Sequence, residues 1–192
     1  MSDNHYRREI FDRFPDIYKY LFREEIMKKD QEIFQERLNH HHDELRWLYT
    51  ELYHNDDMFA ELCDQMYQYF TARRRALKNR DLEREKNPDW FRQKDMLGMM
   101  LYIDNFAGNI KGVSDKLPYL KECNVNCLHL MPFLDTPKGR SDGGYAVADF
   151  RKVRPDLGTM KDLAALADKC HKNGMNLCMD FVMNHTSEDH EW

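Results

Sequence analysis

Two short segments carry side chains suited to holding a polar ligand. The first is Asp180-Phe181-Val182-Met183-Asn184-His185. It continues an apolar run that begins at Met175 and reads as a β-strand. Alternation along that strand puts Asp180, Val182 and Asn184 on one face and Leu177, Met179, Phe181 and Met183 on the other. A carboxylate and an amide in line near the C-terminal end of a strand, followed by His185, stand where parallel α/β sheets keep ligand-binding groups. A structural reading stays open beside this one: Asp180 and Asn184 hydrogen-bond nearby backbone, and His185 begins an ordinary loop.

The second segment is Ser141-Asp142-Gly143-Gly144-Tyr145. Paired glycines let a backbone turn tightly and approach a ligand. Asp142 supplies a carboxylate and Tyr145 a flat apolar ring with a hydroxyl, a combination that suits a sugar. The plainer alternative is an Asp-Gly turn. Two other histidine positions promise less. Neighbours in the run His40-His41-His42 point about 100° apart on a helix and cannot converge well on one ion, so it reads as a polar surface and no metal ligand is assigned. His41 falls between Leu38 and Leu45 and is expected to be the partly buried member. His129, inside the apolar run Cys127 to Met131, reads as a satisfied core histidine.

The elements that must position these segments differ on the two sides of Asn87-Pro88-Asp89, where the residue before proline is pushed away from helix. All eight glycines follow that point, and the residues before it show helical spacing. Phe34, Leu38, Leu45, Leu48 and Leu52 form one expected buried stripe, and Phe59, Leu62, Cys63, Met66 and Phe70 another. His54-Asn55-Asp56-Asp57 marks the break between them. An earlier helix is expected over residues 15–27. Beyond the boundary, short apolar runs of strand type cover 99–103, 127–131 and 175–183, with helices over 114–123 and 159–173. The later helix starts on a Thr159-x-x-Asp162 capping pattern and closes at Gly174. The expected fold is α/β: an all-helical domain over 1–90, then parallel βα units over 91–192.

Composition narrows the function classes. A net charge of -5, with 33% charged residues of both signs, argues against a nucleic-acid binder. The basic cluster Arg73-Arg74-Arg75 reads as a solvated helix face. Five cysteines without paired CxxC spacing fit reduced thiols in a cytoplasm. No apolar run approaches the roughly 20 residues that span a bilayer, so no membrane partner is expected.

Taken together, the segments resemble a known family. Asp180-x-x-x-Asn184-His185 is similar to the segment that ends the third barrel strand in the α-amylase family. Tyr102-Ile-Asp-x-Phe-Ala-Gly108, Leu128-His-Leu-Met-Pro132, Ser141-Asp-Gly-Gly-Tyr-Ala-Val147, Asn184-His-Thr-Ser187 and the ending His190-Glu-Trp192 resemble the amylosucrases within it. The helical first region resembles, in architecture, the helical domain that amylosucrases carry ahead of their barrel. The resemblance implies a (β/α)8 TIM barrel of which these residues hold the first three units. It also implies retaining glucosyl transfer from sucrose to an α-glucan or to water, with no cofactor. By the same resemblance Asp142 corresponds to an acid at the floor of the sugar pocket, Tyr145 to a platform under the glucosyl ring and His185 to a donor to its hydroxyls. Asp180 and Asn184 correspond to supports. The nucleophile and acid/base of the family follow later strands, so no catalytic residue is assigned and the 192-residue chain alone is expected to be inactive. The alternatives are sucrose hydrolysis or isomerisation within the family, a non-catalytic helical interaction module with a sugar-binding vestige, or a truncated relic with no activity.

Overall fold

The computed structural model describes residues 25–141 and 143–191. It forms two compact units that divide between Asn87 and Pro88. The first contains helices α1 (Glu25–Tyr53), α2 (Asp56–Ala72) and α3 (Arg75–Lys86). No glycine, proline or capping cluster interrupts Glu25 to Tyr53, so α1 runs straight through Met27, where the sequence suggested an earlier helix would end; residues 15–24 of that helix lie outside the described residues. The break comes at His54, which turns back on itself with a φ of 51°. Asn55 then caps α2 by accepting a hydrogen bond from the Met58 N–H at 3.0 Å.

The seam between α1 and α2 is aromatic. Phe34 lies 5.1 Å from Tyr67 and 5.4 Å from Phe70, while Phe59 meets His42 at 5.6 Å and Tyr49 at 5.7 Å between ring centres. This corrects the expected stripes. Leu48, Leu52 and Met66 are exposed, and His42 rather than His41 is the half-buried histidine. The first ring that α2 buries is Phe59, and it packs on Tyr49 and His42, while Leu52, close to the polar capping turn in sequence, stays exposed.

The basic cluster is not simply a solvated face. Arg75 grips the buried Asp30 through two bonds of 2.6 and 2.8 Å, and the buried Lys78 reaches the same carboxylate at 2.8 Å. Lys78 also donates to the Thr71 carbonyl at 3.2 Å and lies over the Phe70 ring. Arg73 pairs separately with Asp81 at 2.6 and 2.9 Å. Arg75 and Lys78 thus fasten the start of α3 to α1.

The second unit is built on strands β1 (Gly98–Leu101), β2 (Cys127–Leu130) and, after β3 (Leu134–Asp135) and β4 (Asp149–Val153), β5 (Asn176–Met179). β1, β2 and β5 form one parallel sheet in that order. Short helices α4 (Ile103–Ala107), α5 (Ile110–Asp115) and α6 (Leu117–Glu122) join β1 to β2, and α7 (Met160–Lys172) leads into β5. Parallel strands need such crossovers, and these helices bury one face of the sheet: Leu128, Leu130, Ile110, Val113, Leu120 and Leu166 share the core. Thr159 and Asp162 cap α7 reciprocally: the Thr159 hydroxyl accepts from the Asp162 N–H at 3.2 Å, and the Asp162 carboxylate accepts from the Thr159 N–H at 3.0 Å.

Three boundaries differ from the sequence expectation. Ile103 starts a helix rather than ending a strand. The helix expected over 114–123 is broken at Lys116, because Pro118 has no N–H to offer the Ser114 carbonyl. The run from Met175 to Met183 pairs only as far as Asp180, whose N–H donates at 3.1 Å to the carbonyl of Leu130, the last residue of the partner strand. The long connection after β2 also contains structure that two-residue periodicity could not announce: β3 pairs antiparallel with β4 and folds the intervening loop back on itself.

Candidate functional site

Parallel pairing brings the C-terminal ends of β1, β2 and β5 to one edge. Met100, His129 and Cys178 are direct register partners and therefore share a face, opposite the helix-covered core. Asp180, two residues beyond Cys178, projects to the same side. His129 and Asp180 meet there, with Nε2 2.6 Å from Oδ1.

The β3–β4 hairpin delivers the third member. Within its loop Gly143 and Gly144 have φ of +60° and +87°, and the Ser141 hydroxyl accepts a hydrogen bond from the Ala146 N–H at 3.0 Å. Gly144 is needed for close approach as well as for its conformation: a Cβ there would stand 2.9 Å from the Pro132 carbonyl oxygen. One at Gly143 would stand 3.1 Å from the Tyr102 hydroxyl. The turn thereby aims Tyr145 at the sheet edge, where its hydroxyl donates to Asp180 Oδ2 at 3.0 Å.

Asp180 is consequently held at both oxygens, one by His129 and one by Tyr145. Its hydrogen bond to the Tyr145 hydroxyl, reinforced by partial burial and by the negative charge of the carboxylate, raises the phenol pKa above its ordinary value. Tyr145 keeps its proton committed to Asp180, while the residue as a whole remains 39% exposed. Beyond Asp180 the chain is stapled to the same loop: the Ser187 N–H donates to Val147 O at 2.9 Å, and Arg140 pairs with Glu188 and Asp189. A cavity of about 380 Å³ beside the turn is lined by Met100, Leu101, Tyr102, Asn105, Phe106 and Met131.

The residues singled out from sequence are distributed unevenly over this arrangement. Tyr145 and Asp180 are joined directly. Asn184 and His185 are exposed and bond each other, Nδ2 to Nδ1 at 3.1 Å, instead of joining the Asp180 bracket. Asp142 lies outside the described residues. Sequence reasoning missed His129 as a member of the site. It is satisfied, as expected, but by Asp180, and the signal was present: aligned as neighbouring parallel strands, β2 and β5 put His129 and Asp180 on one face. Tyr102, just after β1, was missed as a neighbour of the glycine turn. Among the described residues no group of three His, Cys, Asp or Glu side chains is placed to hold a metal ion. None of the described helices is long and apolar enough to cross a membrane.

A family model described as the α-amylase catalytic domain matches residues 86–192, more than half of the chain. The trehalose synthase/amylase of Mycolicibacterium smegmatis is 41% identical over 109 residues, which are 54% of this chain and 18% of that protein. The oligo-1,6-glucosidase of Heyndrickxia coagulans is 40% identical over 85 residues, 44% of this chain and 15% of its own. Among solved structures, a mutant isomaltulose synthase of Erwinia rhapontici NX5, in complex with its natural substrate sucrose, is 31% identical and covers 52% of this chain and 19% of that one, with a TM-score of 0.46. The chain therefore spans under a fifth of the length of these curated relatives.

Proposed function

Because the chain belongs to the α-amylase catalytic-domain family, we propose that its second unit is the first part of a (β/α)8 barrel enzyme that transfers an α-glucosyl group with retention. Tyr145 supplies a platform beneath the glucosyl ring. Asp142 and His185 bond its hydroxyls, and Asp180 and Asn184 hold the strand end in place. The observation that carries this reading is the Tyr145 hydroxyl bound to Asp180 at the C-terminal edge of the parallel sheet, in a residue that stays partly exposed. Retention requires two carboxylates about 5–5.5 Å apart, and these are proposed to come from strands later in the barrel.

The finer reading is an amylosucrase-type enzyme with sucrose as donor and α-glucan or water as acceptor. The segments Tyr102 to Gly108, Leu128 to Pro132 and Ser141 to Val147 support it. A second reading is hydrolysis or isomerisation of a related α-glucoside, favoured by relatives named trehalose synthase/amylase and oligo-1,6-glucosidase.

Product analysis of the full-length protein with sucrose, trehalose and isomaltose separates the two. Fructose release from sucrose, with growth of α-glucan or with free glucose, supports the first, isomerised disaccharide or hydrolysis confined to trehalose or isomaltose supports the second, and turnover of none of the three removes both. The 192-residue chain alone is expected to release no fructose above a heat-inactivated control. In the full-length protein Asp142→Ala and His185→Ala are expected to impair turnover far more than Cys127→Ala.

A further inference from the structure

The geometry points to His129 as a positioning residue: by occupying one oxygen of Asp180 it reserves the other for Tyr145, and so sets the angle at which Tyr145 presents its ring to a sugar. The inference rests on the proposed role of Tyr145 and goes beyond it, because it assigns the orientation of the platform to a residue inside the sheet.

The turn by itself cannot hold Tyr145. The turn that carries it contains Gly143 and Gly144, which have no side chains to anchor, and the Tyr145 ring is partly exposed. Among the described residues its hydroxyl has one hydrogen-bond partner, Asp180. The backbone of Asp180 is secured by the final ladder bond of β5, to Leu130 O, but its carboxylate can still rotate about two side-chain bonds. One hydrogen-bond partner would leave that rotation free over a wide arc. Two partners on different oxygens define the plane of the carboxylate.

His129 is suited to be the second partner because it is the stiffest of the three. It lies within the central strand, paired with Met100 on one side and Cys178 on the other. Position is thus handed outward from β2 to His129, then to Asp180, then to the loop. An imidazole Nε2–H donated to Oδ1 leaves Oδ2 as an acceptor, so the Tyr145 hydroxyl stays a donor pointing inward. A ligand then meets the ring face and not the hydroxyl. Without His129, Asp180 Oδ1 would be free to turn outward and capture a ligand hydroxyl itself.

The test is a double-mutant cycle in the full-length protein, using sucrose, or whichever of trehalose and isomaltose it turns over. His129→Ala and Tyr145→Phe are each expected to raise KM about tenfold with a much smaller change in kcat, as lost positioning of a bound group should. The double variant is expected to be within about twofold of the worse single variant, because the two act through one carboxylate. His129→Gln, which can donate from its amide in place of Nε2–H, is expected to stay within about threefold of the parent. Multiplied effects in the double variant, or a His129→Gln as impaired as His129→Ala, would overturn the role given to His129. Should His129→Ala not fold, His129→Leu completes the same cycle. A Tyr145→Ala variant separates the two levels: if it leaves KM unchanged, the platform itself is wrong, and if it raises KM while the cycle is additive, only the inference about His129 falls.

Discussion

His129 Nε2 and Asp180 Oδ1 stand 2.6 Å apart although 51 residues separate them in the chain. The contact exists because β2 and β5 are adjacent and parallel in a register that pairs His129 with Cys178, which puts Asp180 one side-chain repeat further along the same face. It makes Asp180 a bracket between a strand and a loop. A carboxylate so engaged at both oxygens is poorly placed to act as a free base.

Asp180→Asn tests that bracket by chemistry alone, since the amide keeps the shape and removes the charge. The Tyr145 phenol is raised because it donates to a carboxylate, a bond that exists only while the phenol is protonated. In the variant its titration should move down toward the ordinary tyrosine value. Nuclear magnetic resonance of ring-labelled tyrosine, assigned with Tyr145→Phe, reads the shift; an unmoved titration would mean that Asp180 does not hold the hydroxyl.

Gly144→Ala should weaken donor-sugar binding, whereas Gly139→Ala should not. Both glycines have positive φ, of +87° and +71°, so each substitution costs about 1–2 kcal/mol of backbone strain. Only at Gly144 does the new methyl meet backbone, 2.9 Å from Pro132 O, while nothing lies within 4 Å of a Cβ at Gly139. KM for the donor sugar, measured with both variants equally folded by circular dichroism, distinguishes displacement of the turn from simple strain.

Asp30→Asn should destabilise the helical unit by about 3 kcal/mol, because it strands the buried Lys78 with a weaker partner. Burial acts to raise the Asp30 pKa, but hydrogen bonds and charge from Arg75 and Lys78 outweigh it and hold the carboxyl below its ordinary value. A depressed folded pKa means that the stabilisation is complete at neutral pH and is lost as pH falls through that lowered value. Urea unfolding followed by far-ultraviolet circular dichroism should show the difference between parent and variant shrinking below about pH 4, and a constant difference would contradict the assignment.

Thr159→Ala should cost about 1 kcal/mol through loss of the helix cap, and Thr159→Ser should recover most of it. The hydrogen bond from Thr159 is also the main reason the Asp162 carboxyl lies below its ordinary pKa, so in the alanine variant Asp162 should titrate at higher pH. Agreement of the two readouts, the urea midpoint and the carboxyl titration, would identify the cap as the cause.

Much of the local structure was legible in the residues themselves. Three strand-like runs, the Thr159–Asp162 cap, the Asn55 cap and the left-handed Gly174 are written in patterns only a few residues long, and the structure contains each of them. The break at Pro118 is equally readable from the sequence. What short patterns could not settle was which faces would find partners. Leu48 and Leu52 keep helical spacing yet stay exposed, because burial depends on where α2 lays its first ring. Asp30 finds Arg75 and Lys78 across 45 and 48 residues, and Asp180 finds Tyr145 and His129 across 35 and 51. Hydrogen-bonding capacity is a property of each residue, but the partner is chosen by strand order, register and helix packing. Those are decided by the competition of the whole chain for one buried core, so the sequence alone determined the elements and their chemistry, while the tertiary structure decided how they were joined.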